Sequence, residues 1–324
     1  LQAVTDAASE RSLDVACGAK PARPADLDGT RIVAFADNRA PIEALDKGEV
    51  QVLGGTKYMW ARPEFEAVVD VLVVDESSQL SLADAIAISH AGADLVLLGD
   101  PRQLEQPQQG SHPPGVDVSP LDHLLRGDAT IPPSRGFFLP QTRRLHPTLC
   151  AYTSELFYDG KLAARSELAR QKLVDAADLD GAGLYFLPIH HEANQSSSVE
   201  EVAAVVDLVA RLTGGTKWTD RTGKTRPIAT TDVLVITPYN AQVALLQQAL
   251  PGARVGTVDR FQGQEAAVVV FSMATSSGLE APRGLEFLYS ANRLNVATSR
   301  ARCAVILVAN PALFEVACRT PDQL

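Results

Sequence analysis

Val71-Leu-Val-Val-Asp75-Glu76-Ser-Ser-Gln79 is followed, one helix later, by Leu95-Val-Leu-Leu-Gly99-Asp100-Pro-Arg102-Gln103-Leu104. Each half is an apolar, β-branched run that breaks off into acidic or polar residues. That is how a buried parallel strand reads when its C-terminal end delivers chemistry. Ligands of open α/β sheets bind at that edge. A carboxylate pair at the first strand end and a Gln at the second suit a Mg²⁺-nucleotide. Asp75 would hold the metal, Glu76 would orient or deprotonate water, and Gln103 would sense the terminal phosphate. A solvated Asp-Glu pair explains one such strand end equally well, but not two in succession.

The same alternation extends in both directions. Strand-like runs at Arg31–Ala36 and Val50–Leu53 precede the pair, and Ser81–His90 has helical spacing with an N-capping Ser. From Gln106 to Arg135 the chain turns rich in Pro, Gly and Gln, which suggests a domain boundary near Pro140. A second series follows. Strands are expected at Leu184–Ile189, Val233–Thr237, Arg254–Val258, Ala267–Phe271 and Cys303–Ala309. Helices are expected from a capping box at Ser198-Val-Glu-Glu201, through Gln242–Leu250, around Leu294–Arg300 and from Pro311. The expectation is a tandem of two parallel α/β domains, residues 1–140 and 141–324. The ends read as cut: Leu1-Gln-Ala-Val resembles the tail of a helix, and Thr320-Pro-Asp-Gln-Leu324 stops without an element.

A chain of 324 residues is long enough for two domains. Its formal net charge of −10 gives no global basic footprint, so nucleic acid would have to bind in a local groove. Cys17, Cys150, Cys303 and Cys318 are scattered without a CxxC pair, which suggests neither zinc nor a disulfide framework and fits a reducing cytoplasm. No apolar run approaches a membrane span, and no signal peptide opens the chain.

Three further segments are chemically dense. Arg143-Arg144-Leu-His146-Pro147 lies beside the expected boundary, where a guanidinium could reach a phosphate. Gly256-Thr257-Val-Asp-Arg-Phe-Gln-Gly263-Gln-Glu265 is richer in polar groups than a turn requires. Arg293 and Arg300 share a helical face, either as a solvated basic stripe or with an arginine finger among them. Thr222-Gly223-Lys224-Thr225 is not a P-loop, because the Gly required five residues before Gly223 is Trp218 and the segment precedes a strand. His190-His191 lacks a partner at metal-ligand spacing and reads as a loop pair.

Taken in order, these segments resemble the superfamily 1 helicases, and within them the 1B group of RNA-surveillance and flap-processing helicases. Asp75–Gln79 is similar to motif II, Gly99–Leu104 to motif III and Arg144–Pro147 to the "RMHP" element. Thr237-Pro-Tyr239-Asn-Ala-Gln242 is similar to motif IV, Gly256–Glu265 to motif V and Leu294–Arg302 to motif VI. The phrasing is nearest to bacterial proteins that fuse a RecB-like nuclease to such a helicase, which implies a nuclease domain in the parent chain.

The resemblance implies two RecA-like domains, ATP and Mg²⁺ in the cleft between them, and single-stranded DNA, or RNA, across the top. It makes Asp75 and Glu76 the residues serving Mg²⁺ and water, Gln103 the γ-phosphate sensor, and Arg144 and Arg300 the trans-acting arginines. Arg143, Gly263 and Glu265 would lie near the nucleotide. Thr56, Tyr239 and Thr257 would contact nucleic acid, with Tyr58 a further stacking candidate and core packing the alternative for Tyr58 and Trp60. Two departures stand out. Arg143 replaces the aromatic that many members stack on adenine, and no Gly-x-x-x-x-Gly-Lys-Thr occurs in the chain, so the β- and γ-phosphate cradle is absent from it. The alternative for such a chain in isolation is a non-hydrolysing module that binds nucleic acid or a partner. A P-loop kinase or small GTPase is excluded, since neither needs motifs IV to VI in a second sheet.

Overall fold

The computed structural model describes residues 1–21, 27–104, 113, 115–261 and 263–315. The chain forms two compact units: 1–100 with 105–124, and 101–104 with 125–324.

The first unit carries helices α1 (Gln2–Glu10), α2 (Ala40–Asp46), α3 (Lys57–Trp60) and α4 (Leu82–Ser89), with α5 (Pro120–Leu125) at its end. Strands β1 (Cys17–Ala19), β2 (Val33–Ala34) and β3 (Val52–Gly54) form a parallel sheet in the order β2-β1-β3. Strands β4 (Val69–Val74) and β5 (Gly92–Leu97) form a separate parallel pair in which Val73 lies opposite Val96. Ser81 caps α4 by accepting the Asp84 N–H at 3.0 Å, as its sequence position suggests. Leu72 of β4 points into a small core with Met59, Trp60, Phe65, Ile88 and Ala91.

The expectation that β4 and β5 are buried holds for Leu72 alone. No residue of β5 is buried, and Leu95 and Val96 on its two faces are 41% and 40% exposed; on β4 the open side is the one opposite Leu72. Val71 and Val73 are 47% and 54% exposed, because nothing among the described residues covers that side. A cleft of 1190 Å³ lies there, lined among others by Val71, Val73, Asp75, Glu76 and Gly54. The strand expected over Arg31–Ala36 also shrinks to two exposed residues.

The second unit begins with β6 (Gln141–Thr142), α6 (Pro147–Phe157) and β7 (Ala163–Ala164). Next come β8 (Lys172–Val174), β9 (Gly183–Pro188), α7 (Val199–Thr213), β10 (Lys217–Thr219) and β11 (Thr225–Pro227). The remainder is β12 (Val233–Ile236), α8 (Asn240–Ala249), β13 (Arg254–Gly256), β14 (Ala266–Ser272), α9 (Leu285–Leu288), α10 (Ala291–Ser299) and β15 (Ala301–Ala309). Five of these strands form one parallel sheet in the order β13-β12-β14-β15-β9.

Alternation sorts the sheet's side chains into two cores. Leu234, Ile236, Val269, Phe271 and Val305 face one layer, and Val233, Val235, Val268, Val270 and Ile306 the other. Every residue of β14 is buried, which explains its unbroken apolar run. β10 pairs antiparallel with β8 and β11 in a small second sheet, and Gly223 turns its hairpin at φ +88° with Asp220 Oδ1 accepting the Thr222 and Lys224 N–H groups. Thr222–Thr225 is therefore a hairpin tip, consistent with its rejection as a phosphate loop. The segment from Pro311 is a 3₁₀ turn ending at Phe314, capped by Asn310, rather than an α-helix.

Candidate nucleotide and nucleic-acid residues

In the first unit, Asp75 and Glu76 stand exposed where β4 ends. Asp75 Oδ1 accepts the Glu76 N–H at 2.9 Å, and Gln79 Nε2 donates to Glu76 Oε2 at 3.4 Å. Glu76 has φ +52° and ψ +40°, a left-handed conformation that costs a non-glycine residue about 1–3 kcal/mol and persists only where its surroundings impose it. Here Ser77 imposes it: its N–H and hydroxyl both donate to the Leu98 carbonyl at 2.8 Å. Gly99 is required beside this lock, since a Cβ there would come within 3.0 Å of the Ser77 N and Oγ.

Asp75 and Glu76 supply hard oxygen donors, which fit Mg²⁺. No group of three or more His, Cys, Asp or Glu capable of holding a metal occurs among the described residues. A Mg²⁺ here would therefore draw most of its six ligands from phosphates and water, its usual habit.

In the second unit, four sequence-distant candidates fall into two contacting pairs. Arg144 Nε donates to Glu265 Oε2 at 2.5 Å, and its Nη1 donates to the Ser299 carbonyl at 3.1 Å. Arg300 follows Ser299, is only 2% exposed, and places Nη2 3.5 Å from Gln103 Oε1. Arg302 closes on the other carboxylate oxygen of Glu265, with Nε at 3.2 Å and Nη2 at 2.5 Å. Burial alone would raise the Glu265 pKa, but the bonds from Arg144 and Arg302 outweigh it and hold the carboxyl below its usual range.

His146 explains the residues after Arg144. Its Nδ1 accepts the Thr148 N–H at 3.2 Å, capping α6, while Pro147 occupies a first-turn position that needs no donor. Burial lowers the His146 pKa, which keeps a ring nitrogen free to accept. Arg143 is exposed, and Gly263 is exposed with φ +72°.

The nucleic-acid candidates separate. Thr56 is exposed at the start of α3, and Thr257 is half-buried after β13. Tyr58 is 77% exposed, whereas Trp60 is buried edge-on to Phe65 at 5.4 Å, so Trp60 is core. Tyr239 does not match its expectation. It is buried against Phe287 with centroids 5.7 Å apart, and it has no open face on which a base could stack.

Three sequence readings are refined by the structure. Ser198 does cap α7 by accepting the Glu201 N–H at 3.1 Å, but Glu201 does not complete a capping box, because the Ser198 N–H goes to Gln242 Oε1. The Glu201 carboxylate turns inward instead. It bonds Ser272 Oγ at 2.6 Å, Ala274 N at 2.9 Å and His191 Nε2 at 3.0 Å. His191, read as a loop residue, is thus buried, with Nδ1 2.7 Å from Ser276 Oγ. Likewise the basic residues in and after α10 are no solvated stripe: Arg293 lies over Phe287 at 4.3 Å and pairs with Asp259, and Arg300, its C-cap, is buried.

The family model described as an AAA domain matches residues 117–312, more than half of the chain. The chain belongs to the AAA domain family. Several of the curated relatives it matches are named as helicases. "DNA polymerase alpha-associated DNA helicase A" of Schizosaccharomyces pombe is 27% identical over 256 residues, covering 71% of this chain and 36% of its own length. "DNA-binding protein SMUBP-2" of Rattus norvegicus is 30% identical over 268 residues, covering 75% of this chain and 25% of its own. Among solved structures, Arterivirus nonstructural protein 10 (helicase) aligns over 95% of this chain and 50% of its own at 16% identity and TM-score 0.46. The chain thus spans about a quarter to a third of the length of these curated relatives.

Sequence reasoning missed Arg302 as a partner of Glu265, although it closes the motif VI match, and it missed the His191–Glu201 pair. Arg302 carried a signal in its repeat of basic residues after Arg300. The Glu201 pairing carried none, since its partners lie on other elements.

Proposed function

We propose that the intact protein is an ATP-dependent helicase or translocase of the 1B type, acting on single-stranded DNA or RNA. The first unit would contribute Asp75 to Mg²⁺ and Glu76 to the attacking water. The second would contribute Arg144 and Arg300 to charge on the transferred phosphoryl group, and Gln103 to sensing it. Arg143, Gly263 and Glu265 lie in the segments assigned to the nucleotide's surroundings. Thr56 and Thr257 are the backbone contacts proposed for nucleic acid, with exposed Tyr58 as a stacking surface. Two pairs of motif residues within one unit, Arg144 on Glu265 and Arg300 beside Gln103, are the observation that carries this reading. A passive binding module gives no reason to gather two arginines beside a Gln and a Glu.

The phosphate cradle is to be supplied outside these 324 residues. A nuclease domain in the same parent chain is proposed from the motif phrasing alone. A cytoplasmic location rests on the scattered, buried thiols of Cys17, Cys150 and Cys303. No helix among the described residues is long and apolar enough to cross a membrane.

The test is phosphate release from ATP by the full-length protein, with and without poly(dT) or poly(U). Turnover stimulated by either polymer and lost in Glu76→Gln supports the motor. Polymer binding with no turnover under any condition would transfer the case to the passive module.

A further inference from the structure

Arg144 and Arg302 hold Glu265 differently. Arg302 closes Nε and Nη2 together on Oε1. Arg144 reaches Oε2 through Nε alone and spends Nη1 on the Ser299 carbonyl; its Nη2 makes no hydrogen bond among the described residues. Each guanidinium thus keeps one Nη without a hydrogen bond among the described residues, Nη2 of Arg144 and Nη1 of Arg302. But Arg302 gives both of its bonds to the carboxylate, while Arg144 gives it one and faces a further oxygen acceptor with the rest. We propose that Arg302 is a positioning residue: it fixes Glu265, which in turn aims the Arg144 guanidinium at the phosphoryl group. This rests on the ATPase reading above. It assigns Glu265 to Arg144 rather than to the nucleotide.

The surroundings suit that task. The side chain of Gln171 donates to the backbone carbonyls of both arginines, at 2.7 Å to Arg144 and 3.2 Å to Arg302. The His146 N–H also donates to the Arg302 carbonyl, at 2.9 Å. The two stems are thus tied to one anchor. The Arg302 guanidinium lies 5.7 Å from the Trp218 ring centroid, and Arg226 lies 5.2 Å from the same ring, held in turn by both carboxylate oxygens of Asp232 at 2.5 and 2.6 Å. A planar cation on a ring keeps its plane. The small antiparallel sheet that bears Trp218 thereby gains a role in the active site.

The charge count supports aiming over restraint. Glu265 between two guanidinium groups leaves a net charge of +1, so Arg144 can approach an anion without stripping its partner. Were Glu265 instead a latch that keeps Arg144 from the phosphate, weakening it would speed the reaction. The two ideas predict opposite signs.

The experiment measures kcat and KM for ATP in the full-length protein with poly(dT). Variants are Arg302→Met, Arg302→Lys, Glu265→Gln and the Arg302→Met/Glu265→Gln double. Misaiming by about 1 Å lowers kcat by about 100-fold, so Arg302→Met should lose about 10- to 100-fold in kcat with KM within about threefold. Arg302→Lys should recover little, since an ammonium cannot close a fork. The double variant should match the poorer single and not their product, because both act through Arg144. A kcat for Arg302→Met within about twofold of wild type, additive losses, or a faster Glu265→Gln overturns the proposal. If Arg302→Met merely destabilised the fold, its thermal midpoint would drop and Arg302→Lys would restore kcat with it; that result also overturns it. No turnover by the wild type sinks the ATPase reading itself, which is a separate outcome.

Discussion

Replacing Glu201 by Ala should cost the second unit about 3–5 kcal/mol, the range for breaking a buried charged contact by removing one partner. The carboxylate is fully buried and takes three partners: Ser272 Oγ, Ala274 N and His191 Nε2. Ser272 Oγ can re-aim, since it already accepts from Gln242 Nε2 at 3.0 Å. The Ala274 N–H is fixed by its strand end, and the imidazole is held by Ser276. Each buried donor left unmatched costs about 1–3 kcal/mol, so these two alone supply most of the loss. With a urea slope of about 2–3 kcal/mol per molar, the midpoint should fall by about 1–2.5 M. The two tryptophans make the assay specific, because Trp60 belongs to the first unit and Trp218 to the second. In a Trp60→Phe background, fluorescence follows Trp218 alone. Glu200→Ala, one residue away and exposed, loses only solvent-exposed bonds from Asn194 and Ser198, and as the control it should cost about 1 kcal/mol or less. Equal midpoints for the two variants would show that the buried network contributes nothing, and the reasoning from unmatched donors would fail.

Four shorter expectations follow from the same geometry. In the full-length protein, Glu76→Gln should nearly abolish ATP hydrolysis while nucleotide affinity stays close to normal; single-turnover rates within a few fold of wild type would remove Glu76 as the water's partner. Arg144→Ala and Arg300→Ala should each lower kcat by about 10³-fold or more, and an effect confined to KM would make that arginine a simple binder. Glu265 has its folded-state pKa depressed, so its contribution to stability is present above the unfolded value of about 4.3 and lost as pH falls through the lower folded value. Acid unfolding followed at Trp218 should therefore be less steep below about pH 4.3 in Glu265→Gln, and coincident curves would refute the pairing. Burial pushes the Cys303 thiol up to about 12, so it should resist a thiol reagent at pH 8 until the second unit unfolds, and labelling of the native chain would contradict that burial.

The large outline was legible because it depends on local periodicity. Asp75, Gly99 and Gln103 follow apolar runs whose period and punctuation mark strand ends, and Ser81 and Ser198 are caps that a sequence displays openly. Residues that depend on a distant neighbour were not legible. Tyr239 was taken for a stacking surface, but whether an aromatic beside a strand end turns outward is decided by Phe287, far along the chain. Tyr58 and Trp60 look alike in sequence, yet α3 sends them to opposite sides. Glu201 sat at the right offset for a capping box and was claimed instead by the Ala274 N–H, a competition no local pattern records. The open face of β4 was missed for a similar reason, since Val71 and Val73 are spelled as a buried strand would be.

Pro101–Leu104 has a consequence for how this molecule can be taken apart. The chain leaves its first unit at Asp100, lends four residues to the second, returns, and departs again after Leu124. Those few residues carry Leu104 into the second unit's apolar interior, offer the Arg102 carbonyl to Asn295 Nδ2 at 2.8 Å and set Gln103 beside Arg300. No single cut separates the units cleanly. A fragment begun at Leu125 or at residue 141 has a vacant socket where Leu104 belongs and a buried Asn295 amide left with Tyr158 Oη as its remaining acceptor. Such a piece should be stickier and less stable than its intact sheet suggests, and a synthetic peptide spanning the missing tetrad, added back, should bind it as a detached key.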